Sequence, residues 1–213
     1  MKRWTLFLLL CVSCSCFAQE NQSLDSLLCA IHDKDQSVRQ RIQSVFLSGN
    51  RDSIMAASLQ MNAVDQENQA VVFGILDKEG WPAGLCSLAN SAIFLVIDHA
   101  ALPAQEKYYP MVKEKADEGI IGKGDAATLQ DRILMRKGEK QIYGTQTASV
   151  RKDDGTVYYL WPVENPDKLD ELRKEVNLPP IADYIAIFKQ QGMMLVWDKS
   201  LSVDGLKQIM GKN

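Results

Sequence analysis

The chain has 213 residues, 46% of them hydrophobic, with 24 basic against 27 acidic side chains and a net charge of −3 at neutral pH. A chain of this size buries enough surface to fold without a metal or a disulfide framework. No run of five or more basic residues marks a nucleic-acid or anionic-membrane surface, so no nucleic-acid partner is expected.

The N-terminus reads as an export signal. Lys2 and Arg3 form a positive start, Leu6 to Val12 an apolar stretch, and Cys16-Phe17-Ala18 a small-residue cleavage site. The expectation is a signal peptide over residues 1–18 and a single globular domain over 19–213, soluble and either periplasmic or secreted. Lipoprotein anchoring at Cys14 or Cys16 is the rival, but neither follows a Leu-x-small triplet, so release after Ala18 is favoured. The apolar run is shorter than the about 20 residues that cross a bilayer, and no later segment approaches that length, so no transmembrane segment is expected. Losing Lys2 and Arg3 leaves 22 basic residues and a charge of −5. Cys29 and Cys86 survive this cleavage; two cysteines are not a framework, and unpaired core cysteines are the favoured reading.

From Leu24 onward, Leu27, Leu28, Ile31, Val38, Ile42, Val45 and Phe46 keep helical spacing. Asp35 falls on that apolar seam, with Arg39 at i+4 in reach of it. Because a lone buried carboxylate is costly, Asp35 must be paired or hydrogen-bonded if the seam is buried. After Ser48-Gly49-Asn50, a second helix runs to about Asp77 along Ile54, Ala57, Met61, Val64, Val71 and Ile75, with Asn68 facing inward. Gly80-Trp81-Pro82 stops it. Residues 85–101 are apolar nearly all round, predicting a central helix closed by Asp98 and His99. Pro103 opens a further helix that Pro110 interrupts or restarts.

The stretch 129–146 carries the densest chemistry. Leu129 and Ile133 share a buried face beside Asp131 and Arg132, Gly138 sits where helices end, and residues 141–146 alternate as a strand. Asp153-Asp154-Gly155 then predicts a turn into a strand over 156–161. Asn165 and Pro166 open a helix that carries Arg173. A last helix over 181–191 and a short strand over 193–197 follow. The expected fold is mainly α with a small antiparallel β-hairpin, α+β in class, as a single compact multi-helix domain.

Several polar groups are ordered along nearly the whole mature chain: Asp35-Gln36-x-x-Arg39, Asp65-x-x-Asn68, Gly80-Trp81-Pro82, His99-Ala100, Asp131-Arg132, Gln141-x-Tyr143-Gly144-Thr145-Gln146, and Arg173 followed by Leu178 and Tyr184. Together they resemble an uncharacterised bacterial domain-of-unknown-function family of exported proteins. The family pattern places Gln before the histidine, where this chain has Asp98. The resemblance implies no known activity.

Weak chemistries fall away on spacing. Cys29, His32, Cys86 and His99 are possible zinc ligands, but their spacing matches no ribbon or finger, so neither metal nor cofactor is expected. Gly122-Lys123-Gly124 lacks the Ser or Thr and the upstream glycine of a phosphate loop, and no Gly-x-Ser-x-Gly elbow is present. Three readings stand. The first is a polar pocket that binds a small polar ligand or a protein partner through Arg39, Asn68, Arg132, Tyr143, Gln146 and Arg173. The second is a hydrolase or lyase with Asp35 or Asp131 as base, His99 as acid and arginine clamps. The third is a buried ion-pair network that fixes helix registry. The eight positions Asp35, Asn68, His99, Asp131, Arg132, Tyr143, Gln146 and Arg173 are expected to converge near the end of the 85–101 helix, since isolated buried polar groups would each need separate partners.

Overall fold

A computed structural model describes the backbone of residues 4–152 and 155–211, and the side chains of 23–46, 49–152 and 155–211. The side chains of the expected signal peptide, and Asp153 and Asp154 of the expected turn, lie outside the described residues. The fold is mainly helical with a small sheet, in two compact units, Met1–Ala100 and Ala101–Asn213. No helix among the described residues is long and apolar enough to cross a membrane.

The first unit holds α1 (Trp4–Ser48), α2 (Arg51–Glu79) and α3 (Ser87–Asp98), with α1 packed along both of the others. On α1, Leu28, Ile31, Asp35 and Val38 are buried, as the predicted seam requires, whereas Leu27 and Phe46 face solvent. Asn50 caps α2 by accepting from the Ser53 N–H at 2.9 Å, and Gly80 ends it at φ 72°. The buried face of α2 is Ala57, Val64, Asn68, Val72 and Leu76. Past Asn68 it therefore lies one position beyond the predicted Val71 and Ile75, the drift expected of a 3.6-residue turn over a seam longer than two heptads. α3 is buried over most of its surface, which explains its apolar composition.

The second unit holds α4 (Leu102–Asp117), α5 (Lys123–Lys137), β1 (Thr147–Lys152), β2 (Gly155–Leu160), α6 (Leu169–Glu175), α7 (Ile181–Gln190), β3 (Met194–Val196) and α8 (Val203–Met210). α4 runs unbroken through Pro110. The proline faces solvent, where the carbonyl it leaves without a donor meets water. Gly138 takes the left-handed conformation at φ 75° and closes α5 onto the Leu134 and Met135 carbonyls.

Besides the break predicted at Pro110, two expectations are corrected by the second unit. The hairpin is antiparallel between β1 and β2, with Val150 opposite Val157, but β3 adds a parallel neighbour with Val157 opposite Met194, so the sheet is mixed. Residues 141–146 are not a strand: apart from one isolated bridge from Gln141 to Val163, they form a loop whose backbone donors go to side chains. The core beside the sheet lies in two patches. Leu160, Val163, Leu169 and Ile181 gather Tyr184, Ile185, Leu195 and Trp197, while Ala148, Trp161 and Leu206 gather Met135, Tyr159, Leu201 and Val203. Ser202 caps α8 through the Gly205 N–H at 3.0 Å.

Candidate functional site

The eight polar positions divide by sequence between the units: Asp35, Asn68 and His99 in the first, Asp131, Arg132, Tyr143, Gln146 and Arg173 in the second. In the first unit the seam on α1 turns Asp35 inward, and the residue is only 1% exposed. Its Oδ1 takes His99 Nδ1 at 3.1 Å and Arg39 Nη1 at 2.9 Å, and Gln36 donates to Oδ2 at 2.8 Å. Arg39 then continues outward, donating from Nη2 to Asp65 at 2.9 Å and from Nε to His99 Nε2 at 3.2 Å. That last bond fixes the tautomer. Nε2 must carry the lone pair, so the ring proton sits on Nδ1 and points at Asp35. Burial pushes the Asp35 carboxyl up, but the hydrogen bond from His99 and the charge of Arg39 outweigh it, and the net direction is down. Asp98 approaches the same ring, with Oδ2 4.0 Å from His99 Nε2. Asn68, one turn along α2 from Asp65, is 3% exposed and its Nδ2 has no hydrogen-bond partner among the described residues.

In the second unit Asp131, 0% exposed on α5, faces a loop instead of a cation. Its Oδ1 accepts from the backbone N–H of Ile142 at 2.8 Å and of Tyr143 at 3.1 Å. Its Oδ2 accepts from Tyr143 and Thr145 N–H at 3.1 and 3.0 Å and from the Thr145 hydroxyl at 2.9 Å. Burial raises its carboxyl, and these donors pull against that rise. The loop's carbonyls go to Arg173, 1% exposed, which donates from Nη1 to Tyr143 and Gly144 at 2.7 and 3.2 Å and from Nε to Pro179 at 2.6 Å. Its guanidinium also lies 5.4 Å from the centre of the Tyr184 ring. Gln141 completes the frame. Its amide accepts from Gln146 N–H at 2.8 Å and donates to the Gln146 and Trp161 carbonyls at 3.1 and 2.6 Å, doing for the backbone what a neighbouring strand would do. The Gln146 side chain reaches the Thr128 carbonyl at 3.3 Å. Arg132 is half-buried, and its charge acts on the Tyr184 phenol.

What the loop presents is Tyr143. It lines a cleft of about 230 Å³ together with Tyr109, Lys113, Lys123, Gln130 and Glu175. Tyr109 donates to Gln130 Oε1 at 2.8 Å. Burial, then the neighbouring Tyr143 and Asp131, push its phenol up to about 12, and burial raises that of Tyr143 as well. Both phenols therefore stay protonated near neutral pH and act as hydrogen-bond donors, not as bases. Lys113 pairs with Asp117 at 2.8 Å at the cleft's edge.

Tyr109, Lys113, Gln130 and Glu175 are cleft residues that sequence reasoning misses. Tyr109 and Lys113 are i and i+4 on one face of α4, the single signal that points to them, but nothing in the sequence links that face to Tyr143. Neither a curated protein nor a solved structure matches the chain. A model for a family of unknown function, DUF6624, matches residues 22–196, and the chain belongs to that family.

Proposed function

We propose that this is an exported binding protein whose cleft in the second unit takes one small polar molecule. The observation that carries the reading is the cleft itself: two neutral phenols, Gln130, Lys113, Lys123 and Glu175 around about 230 Å³, with Tyr143 presented from a loop held through Asp131 and Arg173. A rigid rim with donors and acceptors of both signs favours a ligand that is itself mixed in polarity, such as a single sugar ring or an amino acid. The volume lies below the roughly 300–1,000 Å³ of pockets for drug-sized ligands, which also points to a small molecule. In this reading Asp131, Gln146 and Arg173 position Tyr143, and only Tyr143 among them touches ligand.

Asp35, Arg39 and His99 fit a holding network better than acid–base catalysis, because both ring nitrogens of His99 are engaged within the protein. A general acid needs its N–H open toward substrate, and that of His99 points at Asp35. The export half of the proposal rests on the basic, then apolar, then small-residue order of residues 1–18. N-terminal analysis of the exported protein is expected to find Gln19 first.

The binding half is tested by following the tyrosine ring signals by NMR while titrating monosaccharides, sugar acids and amino acids at millimolar concentration. At least one is expected to shift Tyr109 and Tyr143 saturably, with the shift lost in Lys113→Ala and the affinity lowered about tenfold or more in Tyr143→Ala. No saturable shift from any member of the panel would sink this reading.

A further inference from the structure

We propose that Cys29 and Cys86 are a disulfide pair that clamps α1 to the start of α3. Their sulfurs lie 3.8 Å apart across a sequence separation of 57 residues, so side-chain rotation within the present helix packing is the movement needed to close the bond. A second contact holds the same register. Asp25, one turn before Cys29 on α1, accepts the Cys86 backbone N–H at 2.9 Å, so α1 grips Cys86 by backbone and by sulfur at once. The other side of Cys86 is held too. Asn90 donates from Nδ2 to the Leu85 and Cys86 carbonyls, each at 3.1 Å, and its own oxygen accepts from Trp81 Nε1 at 2.7 Å. The Gly80-Trp81-Pro82 motif thereby acquires a role, since Trp81 orients the amide that presents Cys86 to α1.

The clamp complements the Asp35–His99 contact. Cys86 precedes the first residue of α3 and His99 follows the last, while Cys29 and Asp35 follow the same order on α1. The disulfide therefore ties one end of α3 to α1 and the carboxylate–imidazole bond ties the other. The sequence favours unpaired core cysteines, yet Cys86 is exposed and Cys29 half-buried. Cys86 is the more exposed sulfur and meets the oxidant first, so it leads the exchange.

The co-reactant is a disulfide oxidant, either a small disulfide or a protein of that class. The Cys86 thiolate attacks one of its sulfurs and expels a thiolate. The Cys29 sulfur, giving up its proton, attacks the resulting mixed disulfide and expels the second. Two thiols and one oxidant disulfide thus become one protein disulfide and two reduced thiols, with two electrons passed to the oxidant.

The test uses the full chain carrying Cys11→Ser, Cys14→Ser and Cys16→Ser, which leaves only this pair. After equilibration with oxidised glutathione, non-reducing digestion and mass spectrometry are expected to show the Cys29 and Cys86 peptides joined, two hydrogens lighter than the free pair. Reduction is expected to lower the melting temperature by on the order of 10 °C, and to leave variants with Cys29→Ser or Cys86→Ser unmoved. Two alkylatable thiols after oxidation overturn the proposal. So do glutathione adducts without the cross-link, or a cross-link found only between chains.

Discussion

At the scale of single residues, two buried aspartates solve one problem in different ways. Asp35 meets cationic and imidazole partners, while Asp131 accepts from the N–H and O–H donors of one loop. Removing either leaves its partners stranded, which costs more than the bonds themselves contributed. For Asp131→Ala the stranded groups are three backbone N–H groups and a hydroxyl, on half-buried residues that face a fully buried carboxylate, and the expected loss is about 3 kcal/mol in denaturant melts. A loss under about 1 kcal/mol would mean that water takes over these donors and the loop is not held as described. That Asp35 and Asn68 face inward is readable in the sequence, because both interrupt apolar seams at helical spacing. The partners of Asp131 are not. Backbone amides belong to every residue, so no residue type announces which carboxylate they will meet.

Elements show the same division. The helices over 51–79 and 181–190 follow from periodicity, the first with its stop at Gly80, the helix over 87–98 from its apolar run, and β2 from turn chemistry, whereas α4 runs on through the Pro110 at which the sequence predicts a break. The 141–146 segment alternates like a strand, yet Asp131 and Gln141 take the donors and acceptors that a neighbouring strand would have used, so it folds as a loop. α8 escapes a reading by periodicity because its apolar face is only two turns long, too short to stand out. In the cleft, Tyr143 is readable from its motif, but Tyr109 and Lys113 depend on how α4 meets the loop, which sequence spacing does not encode. Gly144 tests whether the loop is as tightly seated as its hydrogen bonds imply. It holds φ +67°, and an added Cβ would stand 3.3 Å from one methyl of Leu169 and 3.6 Å from Ile181. Gly144→Ala combines an unfavourable backbone region with that crowding, so a loss of about 2 kcal/mol is expected. The Tyr143 ring signal should broaden or move with it. An unchanged melt and spectrum would show a loop free to shift.

Over the whole molecule, the two carboxylates give stability opposite dependences on pH. The folded Asp35 carboxyl is lowered: burial raises it, and the His99 hydrogen bond and the charge of Arg39 bring it below its ordinary value near about 3.9. Between the folded and the ordinary value the unfolded chain binds more protons, so stability rises with pH there. The Asp35 contribution is thus complete above about pH 4 and is lost as pH falls through the lower, folded value. Asp131 is raised by burial, so its contribution is greatest in acid and falls as pH climbs through its folded value, then stays constant. Asp35→Asn separates the two. At neutral pH the variant is expected to be less stable by about 3–5 kcal/mol, because Arg39 and His99 lose the charge they surround while Asp65 still holds Arg39. Below about pH 4 the gap to the parent should narrow, since the parent then protonates the group that the variant lacks. Denaturant melts taken from neutral pH into acid measure this convergence. Parallel curves for parent and variant would show that Asp35 does not titrate within the native network, and would remove the ion-paired reading of the α1–α3 contact.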